Sequence, residues 1–313
     1  MKPASIISLI VAVLISIAGL VTCIVAQNMA EESGQSLYSE IETSGENTRS
    51  LDLTEIDVNK IQLVFSDAEV TVHGNSETSY IEFINFKDNY YSLTSTSSLV
   101  SFDETPDIMS MLTFWENGFS FKGMRYILNV NKENQPKGQK EVHIYLTSDK
   151  NVKQIEIQAS SCKVNINNMT SGTDYFITAD NVTLNTNHIN TSSTVSVNTG
   201  KDIAPASKVV YNSTGDYITN LSVNAVELEM KADGFMCTGN AAINYENGSV
   251  TVNSVGGMQF ILESDKGEVT VNSRVVDNSC TVGTTGGKVE ISTTNGNINI
   301  TTGALNSGST VTE

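Results

Sequence analysis

Residues 286–300 read GGKVEISTTNGNINI, and within them Gly287-Lys288-Val289-Glu290-Ile291 and Gly296-Asn297-Ile298-Asn299-Ile300 repeat one pattern. A glycine and a polar residue lead into β-branched residues that alternate with polar ones, so Val289 and Ile291 share one strand face and Lys288 and Glu290 the other. Working outward, the pairs Val250/Val252, Phe260/Leu262, Val269/Val271 and Cys280/Val282 continue the series, beginning about 9 to 11 residues apart, the spacing of strand plus turn. Asn247-Gly248, Lys266-Gly267, Gly286-Gly287 and Asn295-Gly296 supply the turns.

Alternation extends back through Val164-Asn165-Ile166 and Ile155-Glu156-Ile157 to Val142-His143-Ile144-Tyr145-Leu146. Earlier strand signals are Tyr80-Ile81-Glu82-Phe83-Ile84, Val70-Thr71-Val72 and Ile61-Gln62-Leu63-Val64-Phe65. The pattern predicts an all-β protein, a β-solenoid (parallel β-helix-like) repeat domain preceded by a single transmembrane helix. Like strands separated by short polar turns let each rung cover the apolar face of the next. An antiparallel β-sandwich is the alternative, because Asn295-Gly296 between two alternating runs is a hairpin signal.

The uncharged run from Ala4 to Ala26 is long enough, at about 1.5 Å per residue, to cross a bilayer as a helix. It exceeds the h-region of about 7 to 15 residues of a cleaved signal peptide, the rival reading. Lys2 before it and Glu31 and Glu32 after it orient residues 1–3 to the cytoplasm and the bulk of the chain outside the cell membrane. The expected organisation is anchor 4–26, a flexible acidic spacer 27–55, an N-terminal β region 56–140 with an aromatic excursion, a repeat domain 141–303 and a disordered tail 304–313.

These residues resemble the bacterial envelope family of β-strand repeat proteins labelled "putative adhesins", on Gly248-Ser249-Val250-Thr251-Val252, Gly267-Glu268-Val269-Thr270-Val271 and the two segments quoted first. The similarity covers roughly residues 55–302, with irregular spacing from Ala179 to Leu228 and Cys162 where the repeat would carry glycine. The resemblance implies a solenoid-like fold and, for members with one amino-terminal anchor, an accessory role in envelope-stress signalling.

The formal charge of −17, from 18 Lys plus Arg against 35 Asp plus Glu, argues against nucleic acid as a partner. Neither a nucleophile with a base nor zinc-ligand spacing is present as a motif, so no catalytic residue, cofactor or metal site is assigned. A carbohydrate-active β-helix enzyme stands as the least favoured alternative. Asp174, Asp180, Asp216 and Asp233 have oxygen ligands suited to Ca²⁺ but no calcium-loop spacing, and read as solvated turns. Cys162, Cys237 and Cys280 read as buried small hydrophobes rather than bridge partners, and His73, His143 and His188 as surface residues. The candidate partner contact is the aromatic cluster Phe114, Trp115, Phe119 and Phe121, with capping of the repeat array as its structural reading. The expected function is non-enzymatic binding or scaffolding at the envelope, with the membrane, through the helix, and an envelope protein or polymer as partners.

Overall fold

The computed structural model describes residues 42–43, 48–86, 91–104, 138–189, 193–198, 207–283 and 286–302. The expected anchor and tail lie outside these residues. Among those described there is no helix, and so none long and apolar enough to cross a membrane. The strands are β1 (Glu42–Thr43), β2 (Thr48–Asp52), β3 (Lys60–His73), β4 (Tyr80–Ile84), β5 (Tyr91–Ser95), β6 (Leu99–Glu104), β7 (Glu141–Tyr145), β8 (Gln154–Asn167), β9 (Asp174–Asn187) and β10 (Thr194–Asn198). They continue as β11 (Lys208–Thr214), β12 (Tyr217–Ile218), β13 (Asn220–Cys237), β14 (Asn240–Ser254), β15 (Gln259–Ser264), β16 (Val269–Val271), β17 (Arg274–Val276), β18 (Ser279–Val282), β19 (Lys288–Thr293) and β20 (Asn297–Thr302).

The long strands are two strands in one. Pairing of β3 with β8 and of β8 with β9 skips Ser66, Ser160 and Asp180, and pairing of β13 with β14 skips Val226 and Glu246. That interruption divides each layer into a first and a second arm. Both arms turn alternate residues inward, as in β9, where Tyr175, Ile177, Ala179, Val182 and Leu184 are all buried. A short third side follows the second arm, where β12 pairs with Met236 and Cys237 at the end of β13 and Ile189, Ile218 and Cys237 are buried. The true repeat is therefore about 20 residues, as in Ile155↔Tyr175↔Val195 and Leu221↔Ala241, and the 9- to 11-residue spacing is one arm of it.

All pairings between neighbouring layers are parallel, which decides for the solenoid over the sandwich. On the first arm the order is β6, β3, β8, β9, β10, β13, β14, β19, β15, and on the second β7, β3, β8, β9, β11, β13, β14, β20, β16. Among the described residues antiparallel pairs occur only at the two ends, in β1–β2–β4–β7, β5–β6, β15–β18 and β16–β17. Asn295-Gly296 is consequently not a hairpin turn: β19 and β20 both run parallel to β14 and the dipeptide joins two arms of one layer. Glycine is required there because a Cβ on Gly296 would lie 2.1 Å from Tyr245 Cε2, and at Gly248 because φ is +116° and a Cβ would lie 2.0 Å from the Leu228 carbonyl oxygen.

Two expected boundaries change. β2 falls within the expected spacer, yet it pairs with β4, and Leu51 and Leu53 are buried, because their apolar side chains close the end of the core. The boundary at residue 140 is not a domain boundary, since β3 is hydrogen-bonded along its length to β8 and Glu40–Glu313 forms one compact unit. The irregular stretch after Ala179 also has a cause. Pairing offsets grow from 20 residues on the first arm to 27 on the second, Val182↔Val209, because extra residues separate β10 from β11.

Register makes each inward position a column through the stack. One column runs Val142, Val70, Val164, Leu184, Tyr211, Met230, Val250, Ile298, Val269. The next, Ile144, Val72, Ile166, Thr186, Ser213, Ala232, Val252, Ile300, Val271, is apolar except at Thr186 and Ser213. Asp216 answers that interruption. Far from a solvated turn, it is 1% exposed, and its carboxylate accepts from Thr186 Oγ1, from Ser213 Oγ at 2.6 Å and from the Ile189 N–H at 2.9 Å. Burial raises its pKa, opposed by those hydrogen bonds and by His188. Its folded-state value lies above the unfolded one, so its contribution is fully present below the ordinary carboxylate range and is lost as pH rises through the folded value.

Urea unfolding should therefore show Asp216→Ala destabilised by about 1–3 kcal/mol, the cost of orphaned buried partners. Asp216→Asn, which can still accept from Ile189 while the two hydroxyls reorient, should stay close to wild type and lose the decline in stability with rising pH above the ordinary aspartate value.

Candidate functional site

Phe114, Trp115, Phe119 and Phe121 lie outside the described residues. At the amino-terminal end of the stack a different aromatic cluster covers the core: Phe102 stacks on Phe83 at 4.6 Å and meets Phe86 edge-on at 4.7 Å and Tyr91 at 5.0 Å. The two candidate sites formed by described residues are outward faces, where parallel register lines up the polar half of each alternating strand.

The first is on the first arm. Asn198, Asn224, Asn244 and Ser292 are consecutive partners in one outward column, and Asn244 Nδ2 donates to Asn224 Oδ1 at 3.1 Å. Beside it run Phe176, Ser196, Ser222 and Ala242, and then Thr194, Asn220 and Asn240. Across β10 and the first arms of β13 and β14 no outward residue is charged. Where the first arm meets the second, the Asn column forms one side of an open cleft of about 370 Å³, with Glu246 and Asp265 as its acidic groups. The Tyr245 ring, 4% exposed, lies in its wall, its hydroxyl donating to the Asn297 carbonyl at 2.8 Å. Thr293 also lines it, held by accepting from the Gly296 N–H at 2.9 Å.

The second is on the second arm near the amino-terminal end. Tyr80, Tyr145 and His73 are successive register partners and form a ring stack, with centroids 4.3 Å and 4.6 Å apart. His143, one column over, places Nδ1 3.5 Å from His73 Nε2 and Nε2 3.0 Å from Glu141 Oε2. Burial, then the neighbouring His143, holds the His73 pKa below the ordinary histidine value. A ladder of amides continues from this cluster: Asn212 Nδ2 donates to Asn185 Oδ1 at 2.9 Å, Asn185 to Asn165 at 2.8 Å, and Asn165 to Glu69 Oε1 at 2.7 Å. Lys163, 2.8 Å from Glu69, lowers that carboxyl's pKa.

The three cysteines are buried and free. Cys162 fills an inward column between Ala68 and Val182, and burial pushes its thiol up to about 12, which makes it a poor nucleophile. Among the described residues, no three His, Cys, Asp or Glu side chains converge as metal ligands.

The family model Toastrack DUF4097 matches residues 58–311. The chain belongs to the Toastrack DUF4097 family. No curated protein matches the sequence. The solved structures that the chain matches include the following three. A "putative cell adhesion protein" from Clostridium sporogenes is 14% identical, covers 84% of this chain and 100% of its own, and has a TM-score of 0.37. A "putative adhesin" from Bacteroides fragilis is 9% identical, with coverages of 85% and 98% and a TM-score of 0.29. A "putative lipid binding protein" from Parabacteroides distasonis is 10% identical, with coverages of 83% and 98% and a TM-score of 0.32.

The sequence shows that the repeats of this Toastrack domain turn Thr, Ser and Asn outward, but not which of those residues meet across layers. Sequence reasoning took the histidines singly as surface residues, which holds for exposed His188, whereas His73 and His143 are half-buried and adjacent. The signal was present: His73 and His143 both occupy outward positions of alternating strands, but only register brings residues 70 apart into contact.

Followed by NMR, His73 should titrate below the ordinary value of 6.5, and His143→Gln should move its midpoint upward. The His73 contribution is fully present above 6.5 and is lost as pH falls through its folded-state pKa. An unmoved midpoint in the variant would leave burial alone as the cause.

Proposed function

We propose that this Toastrack protein is a non-enzymatic binding or scaffolding element of the cell envelope, held by residues 4–26 in the membrane with its bulk outside. The observation that carries the reading is the outward face of the first arm, where amide and hydroxyl side chains are repeated in register across β10, β13 and β14 with no charge among them. A stack hydrogen-bonded from layer to layer presents such groups at fixed spacing of about 4.8 Å, so a partner binds without ordering them first. The uncharged run from Ala4 to Ala26, flanked by Lys2 and by Glu31 and Glu32, supports the anchored topology.

The test is crosslinking of the full-length protein in its native membrane, in wild type and in a variant whose residues 4–26 are exchanged for an unrelated span. The expected result is sedimentation with membranes, digestion of the body by protease added outside, and partners retained after the exchange. Loss of a specific partner on exchange would instead identify a regulatory accessory of a membrane signalling system, and a protein that stays with the cytoplasmic fraction would overturn the anchored reading.

A further inference from the structure

We infer that His73 and His143 form a two-coordinate site for a soft monovalent metal ion, Cu(I) or Ag(I), on the outward face of the second arm; it is separate from the neutral face on which the binding reading rests. His73 ends β3 and His143 is central in β7, where the register pairs Thr71 with His143 and His73 with Tyr145. His73 Nε2 lies 3.5 Å from His143 Nδ1, the ring centres are 5.8 Å apart and the ring planes differ by 15°. The distance between centres equals the nitrogen contact plus the two ring radii, so the rings meet edge to edge with both nitrogens on the line between their centres. Each in-plane nitrogen orbital therefore points at the other ring. A proton bridges that gap poorly, since N–H hydrogen bonds centre on about 2.9–3.0 Å. Two metal–nitrogen bonds of about 2.0 Å placed in line span about 4 Å, so an ion enters once the rings part by about half an ångström. The monovalent ions Cu(I) and Ag(I) accept two ligands in line. Tetrahedral Zn(II) and square-planar Cu(II) or Ni(II) need further ligands, and among the described residues no three His, Cys, Asp or Glu side chains converge to supply them.

The surroundings of the pair hold it ready for an ion. His143 Nε2–H donates to Glu141 Oε2 at 3.0 Å, which orients the ring and leaves the Nδ1 lone pair of the neutral imidazole facing His73. A carboxylate on the far nitrogen of a metal-binding imidazole also makes it a stronger ligand. The His73 ring is held flat against Tyr145, centroids 4.6 Å apart, and Tyr145 against Tyr80 at 4.3 Å. Burial, then His143, keeps the His73 pKa below the ordinary histidine value, so the ring is neutral at neutral pH. Glu82, the register partner of His143 on β4, joins Glu141 in making the neighbourhood favourable to a cation. The His143 side chain is 22% exposed, which leaves an ion a path from solvent.

The test is equilibrium dialysis of the full-length protein in detergent and chloride-free buffer against Ag(I), which stays in one oxidation state, with the histidine ring nitrogens followed by NMR. Wild type should take up one Ag(I) more than His73→Gln or His143→Gln, and the signals of His73 Nε2 and His143 Nδ1 should move together as that ion binds. Cysteines and methionines also take Ag(I), but they are common to all these proteins and cancel in the difference. Glu141→Gln, which keeps both ligands, should retain the extra ion with affinity lowered about tenfold or more. Zn(II) should show no histidine-dependent uptake. The inference is overturned if wild type and the two histidine variants bind equal numbers of Ag(I), or if Zn(II) reproduces the difference. Should the histidine variants fail to fold, wild type and Glu141→Gln decide: ring signals that do not move, or an unchanged affinity in Glu141→Gln, overturn it equally.

Discussion

In-register parallel stacking is the constraint from which the rest of this structure follows. Each residue lies beside its counterpart in the layers above and below, at a spacing of about 4.8 Å, so a choice made at one position is judged against two neighbours of the same kind. Inward columns of Val, Ile and Leu satisfy it through packing. A polar residue in such a column cannot be satisfied by its neighbours, and the pair Thr186 and Ser213 shows what is then required. A buried carboxylate, Asp216, reaches in from the third side to accept from both hydroxyls and from a backbone N–H. Close approach between layers likewise explains why Gly248 and Gly296 tolerate no side chain.

A stack of this kind has two bare ends, and each end of this one departs from simple layer-by-layer order. β3 is flanked by β8 on one side and by β6 and β7, later in the chain than itself, on the other. At the opposite end β19 and β20 lie between β14 and the earlier strands β15 and β16. The terminal layers are thus clamped by chain that returns to pair inside them, and the outermost edges are covered by antiparallel strands such as β17 and β18. Exposed parallel edges would be templates for further pairing between molecules, and this arrangement leaves none of the regular layers at an open end. It also means that β14 has no outer partner until β19 and β20 arrive from 48 residues further along the chain, so the last layers must form together.

How much of this could be read in the sequence follows from what alternation encodes. It specifies which face of a strand is buried, and so strands such as Tyr80–Ile84 and the polar–apolar sidedness of the stack were legible. It does not specify the partner. The two arms carry the same alternation, so a repeat of one arm looks identical to a repeat of a layer, and the 20-residue period emerges only from register. Asn-Gly permits a tight turn in either architecture; whether it reverses the chain or joins two arms is decided by what the flanking strands pair with. The His73–His143 contact, the Asn198–Asn224–Asn244 column and the Asp216 network all depend on residues brought together across layers, and Asp216 in particular carries no local mark that separates it from an exposed turn aspartate. Leu51 and Leu53 were too few and too isolated to announce a strand in an otherwise polar segment.

The same stacking rule accounts for where the charge goes. Like charges in successive layers would sit about 4.8 Å apart along a column and repel, a cost repeated at every layer. An acidic chain of net charge −17 can therefore place carboxylates on its faces chiefly where a cation lies alongside, as in Lys60–Glu156 at 2.5 Å, Lys163–Glu69 at 2.8 Å and Lys208–Glu229 at 3.1 Å. With only 18 Lys and Arg in the sequence such pairs are limited, and the remaining outward positions fall to Asn, Ser and Thr, whose side chains can donate to and accept from their own kind in the next layer. On this argument a neutral amide and hydroxyl face is a product of the fold's electrostatics before it is a binding surface.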